Sequence, residues 1–84
     1  MNLKQGTNIF RSEKGHKGFL YPSSNSLILS NDTEATILPW VGSMDKVAIL
    51  IKEETCVHTW REKSTIVGPA WVNKSDIKRK TYAI

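Results

Sequence analysis

The clearest hydrophobic pattern lies in the second half of the chain. Residues 46–52 are mostly apolar and β-branched, with apolar side chains on both faces, which is typical of a central strand. Residues 55–60 then alternate between two faces, as a half-buried strand does. The polar residues 61–64 separate this segment from the β-rich residues 65–67. The pattern therefore predicts a hairpin with its tip at residues 61–64.

Turn-forming residues divide the rest of the chain into short segments. Residues 22–26 favour a turn, because Pro restricts φ and because Ser and Asn bond their own backbone. Residues 53–54, two glutamates, are expected to interrupt the apolar run as a solvated turn, and residues 68–69, Gly-Pro, are expected to break the strand after the hairpin. Residues 34–41 alternate weakly, and Pro39 confines that strand to an edge or a bend.

The N-terminal quarter is more polar. Residues 1–8 are expected to be a flexible, loosely held segment, and the first ordered strand is predicted to begin at residues 9–10. Residues 11–18 carry several charges and two glycines, which favours an exposed loop. Residues 27–29 are apolar and predict a short strand.

These segments together predict an all-β chain. Residues with branched β-carbons cluster, and no window keeps the helical spacing i, i+3, i+4, i+7 over several turns. We expect a small antiparallel barrel of about five or six strands. At most one short helical turn is expected, near residues 74–77. The core is expected to come from Val47, Ile49, Ile51, Val57, Ile66, Val72 and Ile77.

Length and composition suit one small domain. The chain has 84 residues, of which 39% are hydrophobic, enough for a single core. No run approaches the ~18 apolar residues of a membrane span, and the first residues lack the apolar block of a secretion signal, so we expect a cytoplasmic protein without membrane contact. Cys56 is the only cysteine, which excludes an internal disulfide. We interpret it as a small buried residue on a strand.

Residues suited to catalysis or metal binding are few. His16 and His58 are the only histidines, and with one cysteine they do not make a zinc ligand set. The sequence contains neither a glycine-rich phosphate loop nor a nucleophile elbow. Glu53 and Glu54 are adjacent, so on a strand they point to opposite faces and cannot share a proton. We expect neither an enzyme nor a bound cofactor or metal.

Several segments resemble bacterial SH3-like domains. Residues 43–50 are similar to the Gly-Asp-x-Val-x-Val-Leu strand of that family, and Trp60 falls on the strand that follows. Residues 70–77 resemble its closing Gly-Trp-Val segment, which leads into a one-turn helix and an apolar residue. Ala70 and Met44 stand where the family favours glycine.

The resemblance covers roughly residues 27–80 and implies a small SH3-like barrel. The domain would then comprise residues 9–84, after the flexible segment 1–8. Members of this family bind peptides, cell-wall glycans, nucleic acids and other proteins. In such barrels the tryptophan that opens the third strand often lies in a binding groove, and Trp60 matches that position.

Aromatic residues are the first group of candidate binding residues. Three tryptophans are too many for the centre of so small a core, so some must reach the surface. For Trp71, core packing is the favoured alternative, whereas for the other two tryptophans surface and core are equally expected. The candidates for partner binding are Trp40, Trp60, Trp71 and Tyr82.

Basic residues are the second group. The net charge is +4, and the excess of Lys and Arg is concentrated near the two ends of the chain. If the ends meet in space, they would form one basic face, although a solubilising excess without a partner is an equal alternative. The candidates for nucleic-acid binding are Arg11, Lys14, Lys17, Lys74, Lys78, Arg79 and Lys80.

Two functions from different classes follow. The first is a protein-binding module, such as a small stand-alone regulator or inhibitor that docks through an aromatic barrel face or a sheet edge. The alternative is a small nucleic-acid-binding barrel that contacts phosphates with its terminal basic residues. A cell-wall ligand is a third, weaker alternative, because no export signal is seen. The basic excess is modest and is not interleaved with aromatics, so protein binding is preferred.

Overall fold

The computed structural model describes residues 1–12, 22–42 and 45–77. Within these ranges the chain is almost entirely β-strand, followed by a helical turn at residues 74–77. The prediction of an all-β chain with one short helical turn at this place is confirmed for the described residues. The strands are β1 (Asn2–Leu3), β2 (Asn8–Ser12), β3 (Pro22–Leu29), β4 (Thr33–Glu34), β5 (Thr36–Gly42), β6 (Lys46–His58) and β7 (Lys63–Asn73).

The five longer strands form one antiparallel sheet in the order β3-β2-β7-β6-β5. Strand β7 pairs with β6 along one edge, from Lys46 to His58. The other edge of β6 is shared: β5 pairs with its first residues, and β3 pairs with its end through Ile28↔His58 and Leu29↔Val57. This last pairing joins β3, at one end of the sheet, to β6, so that β3, β2, β7 and β6 form a closed ring like a small barrel and β5 extends from β6. Strands β1 and β4 form a separate two-stranded sheet.

Strand β6 does not stop at Glu53 and Glu54, so the prediction of a turn there is wrong. The pairing moves from Ile51↔Gly68 to Thr55↔Ile66. Between these two pairs, β6 contains three residues (52–54) and β7 contains one (Val67), so β6 carries a β-bulge. A bulge bends the strand and increases its twist, which helps a sheet of this size to close.

Strand β7 likewise continues through Gly68 and Pro69, where the sequence predicts a break. Gly68 has a φ of 89°, a conformation that is open to glycine and strained for other residues. It lies directly opposite the start of the bulge in β6, at Ile51. The glycine therefore bends β7 at the point where its partner bends, and both strands stay in the sheet.

The turn predicted at residues 22–26 is also wrong, because these residues belong to β3. They pair with β2 through Ser12↔Pro22 and Phe10↔Ser26. Pro22 is the first residue of the strand, where a missing backbone donor is tolerated. Pairing with a neighbouring strand thus overrides the local turn preference of Ser and Asn.

The main core lies inside the barrel. The predicted core residues Val47, Ile49, Ile51, Val57, Ile66 and Val72 are all buried. Ile77 packs against this cluster and is partly buried. The cluster also contains residues that the sequence did not single out: Leu3, Ile9, Leu29, Ala35 and Ala70.

The first residues of the chain are packed onto this core, in contrast to the expectation of a loosely held segment 1–8. Leu3 is fully buried. Gly6 donates a backbone hydrogen bond of 2.9 Å to the carbonyl of Leu29, and the amide of Leu29 donates one of 3.0 Å to Thr7. The segment therefore belongs to the folded domain through both apolar contact and backbone hydrogen bonds.

A second apolar row crosses the outer face of the sheet. Phe10 lies opposite Trp71, Trp71 opposite Ala48, and Ala48 opposite Leu38. Residues that lie directly opposite on paired strands share a face, and the neighbours of Trp71 along β7 belong to the interior cluster. Trp71 therefore points to the outer face, where it and Ala48 are nevertheless fully buried.

Cys56 lies on β6, as expected, but it is exposed, so the interpretation of a buried residue is wrong. Its neighbour Val57 is fully buried and takes the inward position, which leaves the outward position to the thiol by strand alternation.

We expect Cys56 to react with a water-soluble thiol reagent in the native protein at a rate close to that in denaturant, because folding does not shield it. The Cys56→Ser variant should change the free energy of unfolding by no more than about 0.5 kcal/mol. A rate of modification that rises steeply only on unfolding would contradict the exposed position.

Candidate functional site

The tip of the β6–β7 hairpin is the best-defined feature of the surface. The backbone amide of Thr59 donates a 2.8 Å hydrogen bond to the carbonyl of Glu62. The side-chain oxygen Oγ1 of Thr59 accepts hydrogen bonds from the backbone amides of Arg61 and Glu62, both at 3.2 Å. One threonine thus closes the turn from both sides, and Trp60 and Arg61 occupy its middle.

This turn presents an aromatic ring and a cation together. Trp60 is 90% exposed. The guanidinium carbon of Arg61 lies 5.2 Å from the centroid of the Trp60 ring, which is a cation–π distance. Exposed large aromatics in a well-held position mark interaction sites more often than exposed small apolar residues do.

An open groove of about 760 Å³ runs between this turn and the β2–β3 strands. Its apolar lining comes from Trp60 and from Leu27, which is partly buried against the core. Among the described residues, Arg11 and Arg61 line the groove as cations, and Glu62 is its one carboxylate. Asn25 and Ser26 of β3 and Thr59 of the turn complete the described lining. The groove thus combines an apolar strip with a cationic rim.

Arg11 is held in place by β7. Its Nη2 donates hydrogen bonds to Oγ of Ser64 at 3.2 Å and to the backbone carbonyl of Thr65 at 3.0 Å. Both bonds come from one nitrogen of the guanidinium, which carries five N–H donors in all. Nε and Nη1 therefore keep donors for a ligand while the side chain is already positioned.

A second depression, of about 460 Å³, has the opposite charge. Four carboxylates line it, against Lys52 and the N-terminal ammonium group. It shares no lining residue with the groove beside Trp60. The four carboxylates are Asp32, Glu34, Glu53 and Glu54.

The aromatic candidates that the structure describes differ clearly in how exposed their side chains are. Trp40 is 77% exposed; it lies where the pairing of β5 with β6 shifts, between Leu38 and Gly42. Trp71 is fully buried, so its ring is not available to a docked partner and its place among the partner-binding candidates is corrected to packing. Tyr82 lies outside the described residues. Of the three described candidates, Trp60 alone lines the groove.

The basic candidates are brought together only in part. Lys14, Lys17, Lys78, Arg79 and Lys80 lie outside the described residues. Lys74 follows the end of β7, and its amide bonds the carbonyl of Asp45 at 2.9 Å. Arg11 pairs with Ala70, and its guanidinium reaches back to Ser64 and Thr65, away from the Lys74 end of β7. The two described cations therefore do not share one face.

The edge of the sheet is a weaker docking feature. Strand β5 lies at the edge of the five-stranded sheet, which agrees with the expectation that Pro39 confines its strand to an edge or a bend. Its regular pairing covers residues 36–38, and the register then shifts before Gly42. A short edge that carries Pro39 and an irregular stretch is a poor template for an added strand.

The part of the chain that the structure describes contains one Ser–His contact. Oγ of Ser30 lies 2.8 Å from Nδ1 of His58, and the amide of Ser30 also bonds the carbonyl of Cys56 at 3.0 Å. Both bonds tie the end of β3 to the end of β6. A nucleophile pair needs a third group that orients the histidine, and no contact of the described residues supplies one, so we assign this contact to barrel closure.

In the part of the chain that the structure describes, no group of three or more His, Cys, Asp or Glu side chains is arranged to hold a metal ion. The helical residues described here form no segment long and apolar enough to cross a membrane.

Sequence reasoning found Trp60, Arg11 and a hairpin tip, which it placed at residues 61–64 and the structure places at residues 59–62. It did not single out Arg61 or Leu27 as groove residues. Arg61 was interpreted only as part of a polar tip. The sequence could have identified Arg61 by its position directly after Trp60 in a four-residue connection, because such a turn presents a cation beside an aromatic ring. Compared with known proteins, the chain matches no family model, no curated protein and no solved structure.

Proposed function

We propose that this protein is a non-enzymatic protein-binding module, a small stand-alone regulator or inhibitor that docks on a larger protein through the groove beside Trp60. One observation carries the proposal: an almost fully exposed tryptophan stands on a turn that Thr59 closes with three hydrogen bonds. A soluble domain gains no stability from such a ring, whereas a partner that covers it gains a large apolar contact.

The geometry favours affinity because the anchor is held before binding. Association loses free energy when mobile side chains and loops become ordered, and a closed turn reduces that loss. The groove also offers a partner more than the ring, since Leu27 extends the apolar strip and Arg11 is already fixed by β7. These features are those of an interface centre with an apolar core and a polar rim.

The proposal includes an SH3-like identity for the barrel and a cytoplasmic location. The closed sheet, in which β6 and β7 are bent, supports the first. The second is supported by Cys56, an exposed and unpaired thiol, which stays reduced most readily in a reducing compartment.

Nucleic-acid binding is the alternative, because Trp60 and Arg61 could stack on an unpaired base. It is less well supported, because a protein that follows a phosphate backbone needs a row of cations, and the two basic candidates that the structure describes, Arg11 and Lys74, do not share one face. A complex made by about four to six of the basic candidates should weaken with a log–log salt slope of about −3 to −5.

The test of the proposal compares three forms of the protein as baits in an extract of the native host. The wild type and Trp40→Ala should recover the same partner protein, and Trp60→Ala should lose it, with a binding loss of about 2 kcal/mol or more. Trp40→Ala is the matched control, because it removes an exposed ring outside the groove. Nuclease treatment should not change the recovery.

Fluorescently labelled mixed-sequence DNA and RNA, single-stranded and duplex, should show no measurable binding at physiological salt. Micromolar or tighter binding that is abolished by replacing Lys78, Arg79 and Lys80 would contradict the proposal and favour the nucleic-acid alternative.

A further inference from the structure

We propose that the occupant of the groove is an acidic, extended segment of the partner protein, with one large apolar side chain against Trp60 and Leu27 and carboxylates on Arg11 and Arg61. This inference rests on the proposed function and adds the chemistry of the partner. It follows from where the structure puts charge and apolar surface.

The cations of the groove suit carboxylates. Among the described residues, Arg11 and Arg61 line it against the single carboxylate of Glu62. A guanidinium matches a carboxylate with two parallel hydrogen bonds, and such charge-assisted bonds are stronger than neutral ones. Arg11 is already oriented through Nη2 toward Ser64 and Thr65, so its remaining donors are positioned before a ligand arrives.

The charge of the second depression reinforces this choice. Four carboxylates are gathered in the depression formed by Asp32, Glu34, Glu53 and Glu54, which shares no residue with the groove. An acidic segment is therefore attracted to the groove and repelled from the depression. Complementary potentials of this kind fix the orientation of a partner and exclude wrong ones.

The apolar strip requires an apolar residue within the acidic segment. The ring of Trp60 and the side chain of Leu27 on β3 form the apolar part of the groove lining. The strip is short, open and bounded by β3 and a hairpin turn, so it fits a few residues of extended chain better than a folded surface. A purely acidic peptide would leave the ring uncovered, and a nucleic-acid backbone would need more cations than the two arginines of the described lining supply.

A short random peptide library displayed on phage tests the inference. The library is selected on the wild-type protein and depleted on Trp60→Ala. We expect the enriched peptides to carry an excess of Asp and Glu around one large apolar residue. A synthetic peptide from that set should bind Arg61→Ala about tenfold more weakly than the wild type. The control Lys52→Ala, which changes a cation in the acidic depression, should bind it as the wild type does.

The outcomes separate this inference from the function on which it rests. Neutral or basic peptides that depend on Trp60 would overturn the acidic chemistry while the docking groove remains. No enrichment, or displacement of an enriched peptide by a mixed-sequence oligonucleotide, would also overturn the inference. In those cases the capture experiment with Trp60→Ala and Trp40→Ala still decides the proposed function independently.

Discussion

Replacing Trp71 with Ala should lower the free energy of unfolding by about 3–5 kcal/mol. The ring is fully buried in the row that runs from Phe10 through Ala48 to Leu38, and alanine would leave a large cavity there. A domain of this size is stable by only about 5–15 kcal/mol. The variant should therefore lose a large share of its stability and unfold at a clearly lower urea concentration than the wild type.

The same substitution at Trp60 is the matched control. Because that ring is 90% exposed, Trp60→Ala should change the free energy of unfolding by no more than about 0.5 kcal/mol. Urea unfolding followed by far-ultraviolet circular dichroism measures both variants without relying on tryptophan fluorescence. Equal losses for the two variants would contradict the assignment of Trp71 to packing and Trp60 to the surface.

Leu3→Ala should cost about 2–5 kcal/mol, because Leu3 is fully buried in the main core cluster. The neighbouring Lys4→Ala is the control. Lys4 is exposed, and its Nζ lies 3.8 Å from a carboxylate oxygen of Asp32, so its loss should cost no more than about 0.5 kcal/mol. Thermal and urea unfolding of both variants check the difference.

This pair of variants decides whether the first residues belong to the folded domain. If Leu3→Ala and Lys4→Ala unfold at the same urea concentration as the wild type, the N-terminal segment is loosely held, as its polar composition indicates. A large loss for Leu3 alone means that the segment completes the core.

Strand β6 was predictable because the hydrophobic pattern of its residues indicates burial on both faces. Residues 47–51 are apolar on both faces, and a strand of that kind must be covered on both sides and paired along both edges. The structure pairs it with β7 on one edge and with β5 and β3 on the other. The core positions on β6 followed from the same pattern.

The bends were not predictable, because they depend on partners far along the chain. Glu53 and Glu54 have the local character of a turn, and so does the Gly-Pro pair at 68–69. Only the pairing of Ile51 with Gly68 shows that the two bends coincide inside one continuous pair of strands. Residues 22–26 were missed for the same reason, since their strand conformation is imposed by β2.

The sequence identified Trp60 as a candidate binding residue, but it did not predict which tryptophans are exposed or which residues surround Trp60. Trp60 and Trp71 are the same residue type on or next to apparent strands, yet one is almost fully exposed and the other fully buried. The difference comes from the turn that Thr59 closes and from the row of residues across four strands. Neither the hydrogen bonds of the turn nor the pairing of the four strands can be inferred from the residues next to each tryptophan in the sequence.

Oxidative footprinting of the three tryptophans, with and without the native-host extract, tests whether a partner protein covers Trp60. In the free protein Trp40 and Trp60 should be oxidised and Trp71 protected. With the extract present, Trp60 should become protected while Trp40 stays reactive, and nuclease treatment should not restore oxidation. Trp60 remaining as reactive as Trp40 while a partner is bound, or protection that nuclease removes, would contradict the account.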